Sequence, residues 1–318
     1  MSIVRSTAFA VAGGLAAALL FVSLAKANVG GLMLMSMTPL PLFMVGLSFG
    51  IGPAAIASMV GTAVILAADA LYGVAFAVEF ALPVMVVVSL ALWRRRPEEE
   101  WPPAGRLVLG LTALAAVVFI ASEVGLLDQP GGFEGSVRAT IGTLSKELRT
   151  QDPQVGEQAE EMLQALARVL PGLGMFCWIG LIAANGVLAQ GAIAGFGWAR
   201  RPAPSLAALS LTWWAVVPLA VALLLAFIGP DVPEGKELAF AGSNLTVVFL
   251  VPFLFQGLGV LHALVRRSSK RTWLLAGLYG AVLIFGWPIP LIVALGVIEQ
   301  WVGLRRRYAA TDQEKSDG

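Results

Sequence analysis

Between Lys26 and Asp69 the chain carries no charged side chain, and the run is interrupted only by Pro39, Pro41 and the corner formed by Gly50, Ile51, Gly52 and Pro53. A helix rises about 1.5 Å per residue and the hydrocarbon of a bilayer is about 30 Å thick, so one crossing takes about 20 residues. The run is therefore read as two adjoining transmembrane helices that turn at the glycine–proline corner. Pro39 and Pro41 fall near the middle of the first helix. Proline has no N–H to donate, so the backbone groups it frees must be met by a neighbouring helix or by water.

The same logic extends along the chain. Hydrophobic residues make up 58% of it and charged residues only 13%, against about 25% charged in globular proteins. Apolar runs of spanning length fall at 7–25, 31–49, 52–71, 73–93, 107–127, 172–196, 205–228 and 239–265. A last block, 272–303, exceeds one comfortable span and holds Trp287, Pro288, Ile289 and Pro290 at its centre, so it is either one kinked helix or a hairpin of two short ones. The fold class is all-α, a polytopic transmembrane bundle of eight to ten membrane segments.

Charge sets the expected orientation. Basic clusters occur at Arg94, Arg95 and Arg96, at Arg200 and Arg201, at Arg266, Arg267, Lys270 and Arg271, and at Arg305, Arg306 and Arg307, whereas 128–161 and 231–237 are acidic overall. The positive-inside rule makes the basic gaps cytoplasmic. Both termini are then expected in the cytoplasm, provided that 272–303 crosses twice or re-enters. Arg5, an apolar run and Ala25, Lys26, Ala27 also fit a cleaved secretory signal, and that alternative stays open at this level.

Four segments result: five N-terminal spans over 1–127, a non-cytoplasmic insert over 128–170, further spans over 171–304 and a cytoplasmic tail over 305–318. In the insert, Val137, Ile141, Leu144 and Leu148 share one helical stripe, as do Val155, Ala159, Met162, Leu166 and Val169, with a turn at Gln151, Asp152 and Pro153. Two amphipathic helices are expected, either lying on the bilayer or bundle or serving as a lid or docking arm.

Charges within spans are costly and nominate sites. In this topology Asp69, Glu79, Glu123 and Asn244 come from different spans to the outer leaflet, with Lys26 and Asn28 nearby, and the four are the expected substrate-binding residues. Glu79 is the deepest of the carboxylates. Asn185 and Gln190 are read as interhelical hydrogen-bond partners, Gln256 and His262 fall in the inner half of a span, and Cys177 reads as a small buried apolar residue. One cysteine and one histidine exclude a disulfide framework and a His/Cys metal site. Net charge is only +1, which gives no field for nucleic acid. The motifs of zinc proteases, serine hydrolases, phosphate-binding loops and dithiol redox sites are absent, so neither an enzyme nor a cofactor is expected.

Thr38-Pro39-Leu40-Pro41-Leu42-Phe43-Met44-Val45-Gly46-Leu47-Ser48-Phe49-Gly50, followed by Gly52-Pro53-Ala54-Ala55 and ending near Asp69, resembles the second and third helices of the substrate-binding S components of energy-coupling-factor vitamin transporters. In its order of spans the whole chain resembles the YybS-like family of polytopic membrane proteins; the S-component likeness is confined to about residues 5–92. That resemblance implies a pocket for a small-molecule ligand opening outward. It also implies docking of a first-helix face, here Ala8, Ala12 and Ala16, onto a membrane coupling subunit driven by a separate ATPase. S components usually have six spans, and no vitamin-contact signature is present. At the same distance the family resembles scaffolding proteins of cell-shape machinery, which implies envelope partners and no ligand. In either case the bilayer is the first partner.

Overall fold

The computed structural model describes residues 3–307 except 27, 95, 97, 233, 234 and 267. Within them every regular element is helical, and eight helices are long and apolar enough to cross a membrane: Val4–Ala25, Val29–Phe49, Ile51–Ala68, Ala70–Leu92, Ala104–Gly125, Leu170–Gly195, Trp213–Asp231 and Lys236–Val265. Two shorter apolar helices follow, Arg271–Phe285 and Pro288–Val302. The expected tail at 308–318 lies outside the described residues, as do Arg95 and Arg267 of the basic clusters. Large apolar side chains stand exposed along these helices, Phe227 at 81% and Leu283 at 84% among them. Water would penalise such a surface, and lipid covers it without cost.

The chain forms two compact units, residues up to 111 with 179–205, and residues 112–178 with 206 onward. The first unit contains α1 (Ile3–Val22), α2 (Val29–Ser36), α3 (Pro39–Phe49), α4 (Ile51–Ala68), α5 (Ala70–Phe76), α6 (Leu82–Leu92), the start of α7 (Ala104–Gly125) and the later part of α10 (Leu170–Gly195). Between them, α8 (Gly132–Gln151) and α9 (Pro153–Leu166) belong to the second unit. Ala10, Ala17 and Phe21 bury one side of α1, which packs on α3 and α4. Phe21 meets Phe76 and Phe80 edge-on at 5.5 and 5.8 Å. Ala8, Ala12 and Ala16 lie on the opposite, exposed side of α1.

The proline break separates α2 from α3. Thr38 N–H turns back to the Met35 carbonyl at 2.9 Å and Leu40 N–H to the Met37 carbonyl at 3.0 Å. The Ser36 carbonyl is met by another helix: Asn185 Nδ2 of α10 donates to it at 2.9 Å and to the Leu181 carbonyl at the same distance. The freed backbone at this break is thus met by protein, as an apolar surrounding requires. Gly50 makes the corner between α3 and α4 with φ 103°.

The second unit holds the α8–α9 hairpin, the later part of α7, α11 (Val216–Ile228), α12 (Lys236–Val265), α13 (Arg271–Phe285) and α14 (Pro288–Val302). Asp152 caps α9, accepting from Gln154 N–H at 3.0 Å, and fixes the expected turn. Arg149 pairs with Glu160 across the hairpin at 2.8 Å. Ile141 is buried, whereas Leu144, Val155 and Met162 stay exposed at 46%, 52% and 60%. The block 272–303 is two helices broken at Gly286, not one kinked helix.

α12 and α14 cross in close contact. A Cβ added at Gly257 would strike the Ile292 carbonyl, and one added at Gly296 would strike the Phe253 carbonyl. Only glycine lets the two backbones meet this closely, the small-residue device by which membrane helices associate. Cys177 corrects one expectation: it is exposed on α10 rather than buried.

Candidate functional site

The four residues expected to share an outer pocket divide between the units, Asp69 and Glu79 in one, Glu123 and Asn244 in the other. Asp69 is the N-cap of α5, its Oδ1 accepting from Leu71 N–H at 2.8 Å and Tyr72 N–H at 3.0 Å. It satisfies donors that any helix start leaves open. Glu79 is exposed within a π turn, Ala77–Ala81, between α5 and α6. Pro83 lacks the N–H that would bond the Glu79 carbonyl, and Leu82 N–H reaches back to Ala77 instead.

Asn244 is fully buried in α12. Its Oδ1 accepts from Gly172 N–H at 2.7 Å, and its Nδ2 donates to the carbonyls of Arg168 and Phe240 at 2.9 and 2.8 Å. These bonds fasten the start of α10 to α12 and use both amide donors. Glu123 is 9% exposed near the end of α7, and its Oε2 has no hydrogen-bond partner among the described residues. The carboxylates of Glu237 and Glu134 act on it electrostatically. The Lys26 side chain lies outside the described ones, and Asn28 caps α2 through Gly31 N–H at 2.8 Å.

The second unit contains an open cavity elsewhere, of about 390 Å³, lined by Ser210, Leu211, Gln256, Gln300, Arg305 and Arg306 with Ala207, Glu299 and Gly303. Its wall is built by the irregular segment that precedes α11, with only short helical turns at Leu206–Ala208 and Trp213–Ala215. Backbone that leaves the helical ladder needs outside partners, and polar side chains of α12, α14 and the turn after α14 supply them. Gln256 Oε1 accepts from Leu211 N–H at 3.0 Å. Gln300 Nε2 donates to the Thr212 carbonyl at 3.1 Å. Arg305 Nη1 donates to the carbonyls of Ala207 and Leu209 at 3.0 and 2.7 Å.

The same side chains bond one another. Gln256 Nε2 donates to the Gly296 carbonyl at 2.9 Å and to Gln300 Oε1 at 3.0 Å. Arg305 Nε donates to Glu299 Oε1 at 2.8 Å, with side-chain exposures of 18% and 6%. Such a buried pair holds only when further hydrogen bonds surround it, and the two carbonyls on Arg305 are such bonds. No group of three or more His, Cys, Asp or Glu side chains able to hold a metal occurs among the described residues. The arrangement presents fixed polar groups to a volume in the range of small-molecule sites.

Of this network the sequence nominated Gln256 alone. Glu299 was hidden inside an apolar block, and Arg305 was absorbed by the orientation argument as one of three basic residues. The usable signal was a carboxylate at the edge of a span with an arginine six residues on, since a carboxylate there requires a partner.

A family model described as Predicted membrane protein (DUF2232) matches residues 14–299. No curated protein and no solved structure matches the chain.

Proposed function

We propose that this chain, which belongs to the DUF2232 family of predicted membrane proteins, is a non-enzymatic membrane component that binds a small polar solute in the cavity bordered by α12, α14 and residues 207–211. The observation that carries this reading is the cavity of about 390 Å³ itself, lined by two glutamines, a serine and an ion pair at the end of otherwise apolar helices. Small-molecule sites combine such a volume with a few convergent polar groups. The basic Arg305 and Arg306 end faces the cytoplasm under the positive-inside rule. Asp69 and Asn244 serve as a helix cap and a helix clamp and do not line this cavity.

In the S-component-like version of this function, energy comes from a coupling subunit and an ATPase on other chains, and the exposed Ala8, Ala12 and Ala16 face receives the coupling subunit. The alternative is an envelope scaffold without a ligand. The exposed apolar groups of the α8–α9 hairpin favour it, since Val155 and Met162 stay more than half exposed among the described residues.

Ser210→Trp separates these readings, because Ser210 is exposed at the cavity wall and makes no hydrogen bond that the fold needs. The full chain in nanodiscs is heated with a panel of carboxylates, phosphates, amino acids and neutral sugars. At least one class is expected to raise the thermal midpoint of the wild type and not that of Ser210→Trp, whose midpoint without solute is unchanged. A panel without effect on the wild type, or with equal effect on both, contradicts solute binding here.

A further inference from the structure

The charges lining the cavity do not balance. Glu299 is the one carboxylate among the lining residues, and Arg305 and Arg306 are two guanidiniums. Glu299 and Arg305 neutralise each other at 2.8 Å, and Arg305 also gives Nη1 to two backbone carbonyls. The exposed Arg306 side chain makes no hydrogen bond or ion pair among the described residues, whereas its backbone N–H donates to the Gly303 carbonyl at 3.0 Å. Its place is nevertheless defined: its Nε and Nη2 lie over Gly303, each 3.1 Å from where a Cβ would stand. Glycine at this αL position, with φ 62°, lets the guanidinium settle onto the end of α14 beside the cavity. The Ser210 hydroxyl, which lines the same cavity, is also without a partner among the described residues. The C-terminus of α14 contributes about half a unit of negative charge. Two guanidiniums still outweigh one carboxylate and that partial charge.

We infer that the cavity is an anion site in which the Arg306 guanidinium and the Ser210 hydroxyl receive a phosphate or carboxylate group, with Gln256 and Gln300 holding the wall behind it. The inference rests on the proposed solute-binding function and names the class of solute. Guanidinium is suited to the task because its planar donors match the two oxygens of a carboxylate or phosphate. The Arg306 side chain is exposed and its donors have no partner among the described residues, so they are open to a solute. The anion has two sources with the same chemistry, a free small molecule or the headgroup of an acidic phospholipid, since the Arg306 end of α14 is expected at the membrane interface.

The test uses the full chain in nanodiscs of zwitterionic phosphatidylcholine or of phosphatidylcholine with phosphatidylglycerol, read by thermal midpoint. Inorganic phosphate or acetate raising the midpoint in zwitterionic discs, with the half-effect concentration shifted about tenfold or more upward in Arg306→Gln, identifies a free anion. A rise seen only with phosphatidylglycerol, and lost in Arg306→Gln, identifies the headgroup. Arg306→Lys keeps the charge without the fork and is expected to fall between wild type and Arg306→Gln. No response to any of the three anions, or the same response in Arg306→Gln, overturns the inference. A neutral solute that protects the wild type but not Ser210→Trp would then leave the solute-binding function standing; no protection by any solute would remove both.

Discussion

Arg201→Ala is expected to leave little protein that survives detergent extraction as a single species, although Arg201 lies outside every span. Its side chain is almost fully buried, at 6% exposure, and no carboxylate among the described residues is its partner. Instead Nη1 donates to the Ala91 carbonyl at 3.0 Å and Nη2 to the Pro102 carbonyl at 3.1 Å, while the Arg201 carbonyl accepts from Gln190 Nε2 at 2.9 Å. The end of α6, the chain before α7 and the segment after α10 thus meet on one guanidinium. The Trp101 ring lies within cation–π range, its centre 5.8 Å from the guanidinium carbon. Burial pushes the guanidinium below its ordinary pKa, yet arginine keeps its charge in proteins. Each hydrogen bond from a charged donor is worth about 1.5–3 kcal/mol, so losing two costs about 3–6 kcal/mol, comparable with the whole stability of many domains. Arg201→Lys is not expected to rescue, because one ammonium cannot reach both carbonyls in the geometry of the fork. Size-exclusion profiles and thermal midpoints of the two variants check this; a well-behaved Arg201→Lys protein would show that charge alone suffices.

Arg305→Leu is the second large effect. It strands Glu299, whose side chain is 6% exposed, without its cation, and breaking one side of a buried pair costs about 3–5 kcal/mol. It also frees the carbonyls of Ala207 and Leu209. Glu299→Leu alone is expected to cost less, since Arg305 keeps both carbonyls. The double variant should recover part of what Arg305→Leu loses, because two apolar groups are tolerated where a lone buried carboxylate is not. A thermodynamic cycle on thermal or denaturant unfolding is expected to give a coupling of about 0.5–3 kcal/mol. Strict additivity of the single changes would mean that the pair is not coupled.

The features that the sequence made legible are those in which one residue type has one local consequence. Pro39 had to break a helix, Gly50 had to turn one, and Asp152 with Pro153 had to make a turn between two; each does so, while Pro41 is accommodated in the first turn of α3. The length and charge of the apolar runs were enough to place seven of the eight candidate spans to within three residues; the run at 205–228 is corrected to Trp213–Asp231, because 206–212 is irregular. What stayed hidden depends on partners distant in sequence. Asn244 has the composition of a ligand contact, and only the approach of Arg168 and Gly172 makes it a clamp. Glu299 and Arg305 carried no periodicity to mark them, and the irregular segment 206–212 that they support reads simply as part of an apolar run. Glu79 sits in a π turn because Pro83 removes a donor, which the sequence does contain, although two outcomes of such a proline, a kink or a π turn, differ only in packing.

Whether the α12–α14 cavity opens to water on the cytoplasmic side decides the account most directly. Cys177 is exposed on α10 and is replaced by serine, and Ser210→Cys is then treated with a membrane-impermeant maleimide in sealed vesicles of both orientations. Labelling in inverted vesicles but not in right-side-out ones is the predicted result. Labelling from the outside alone, or from neither side, would contradict a water-filled cytoplasmic binding cavity.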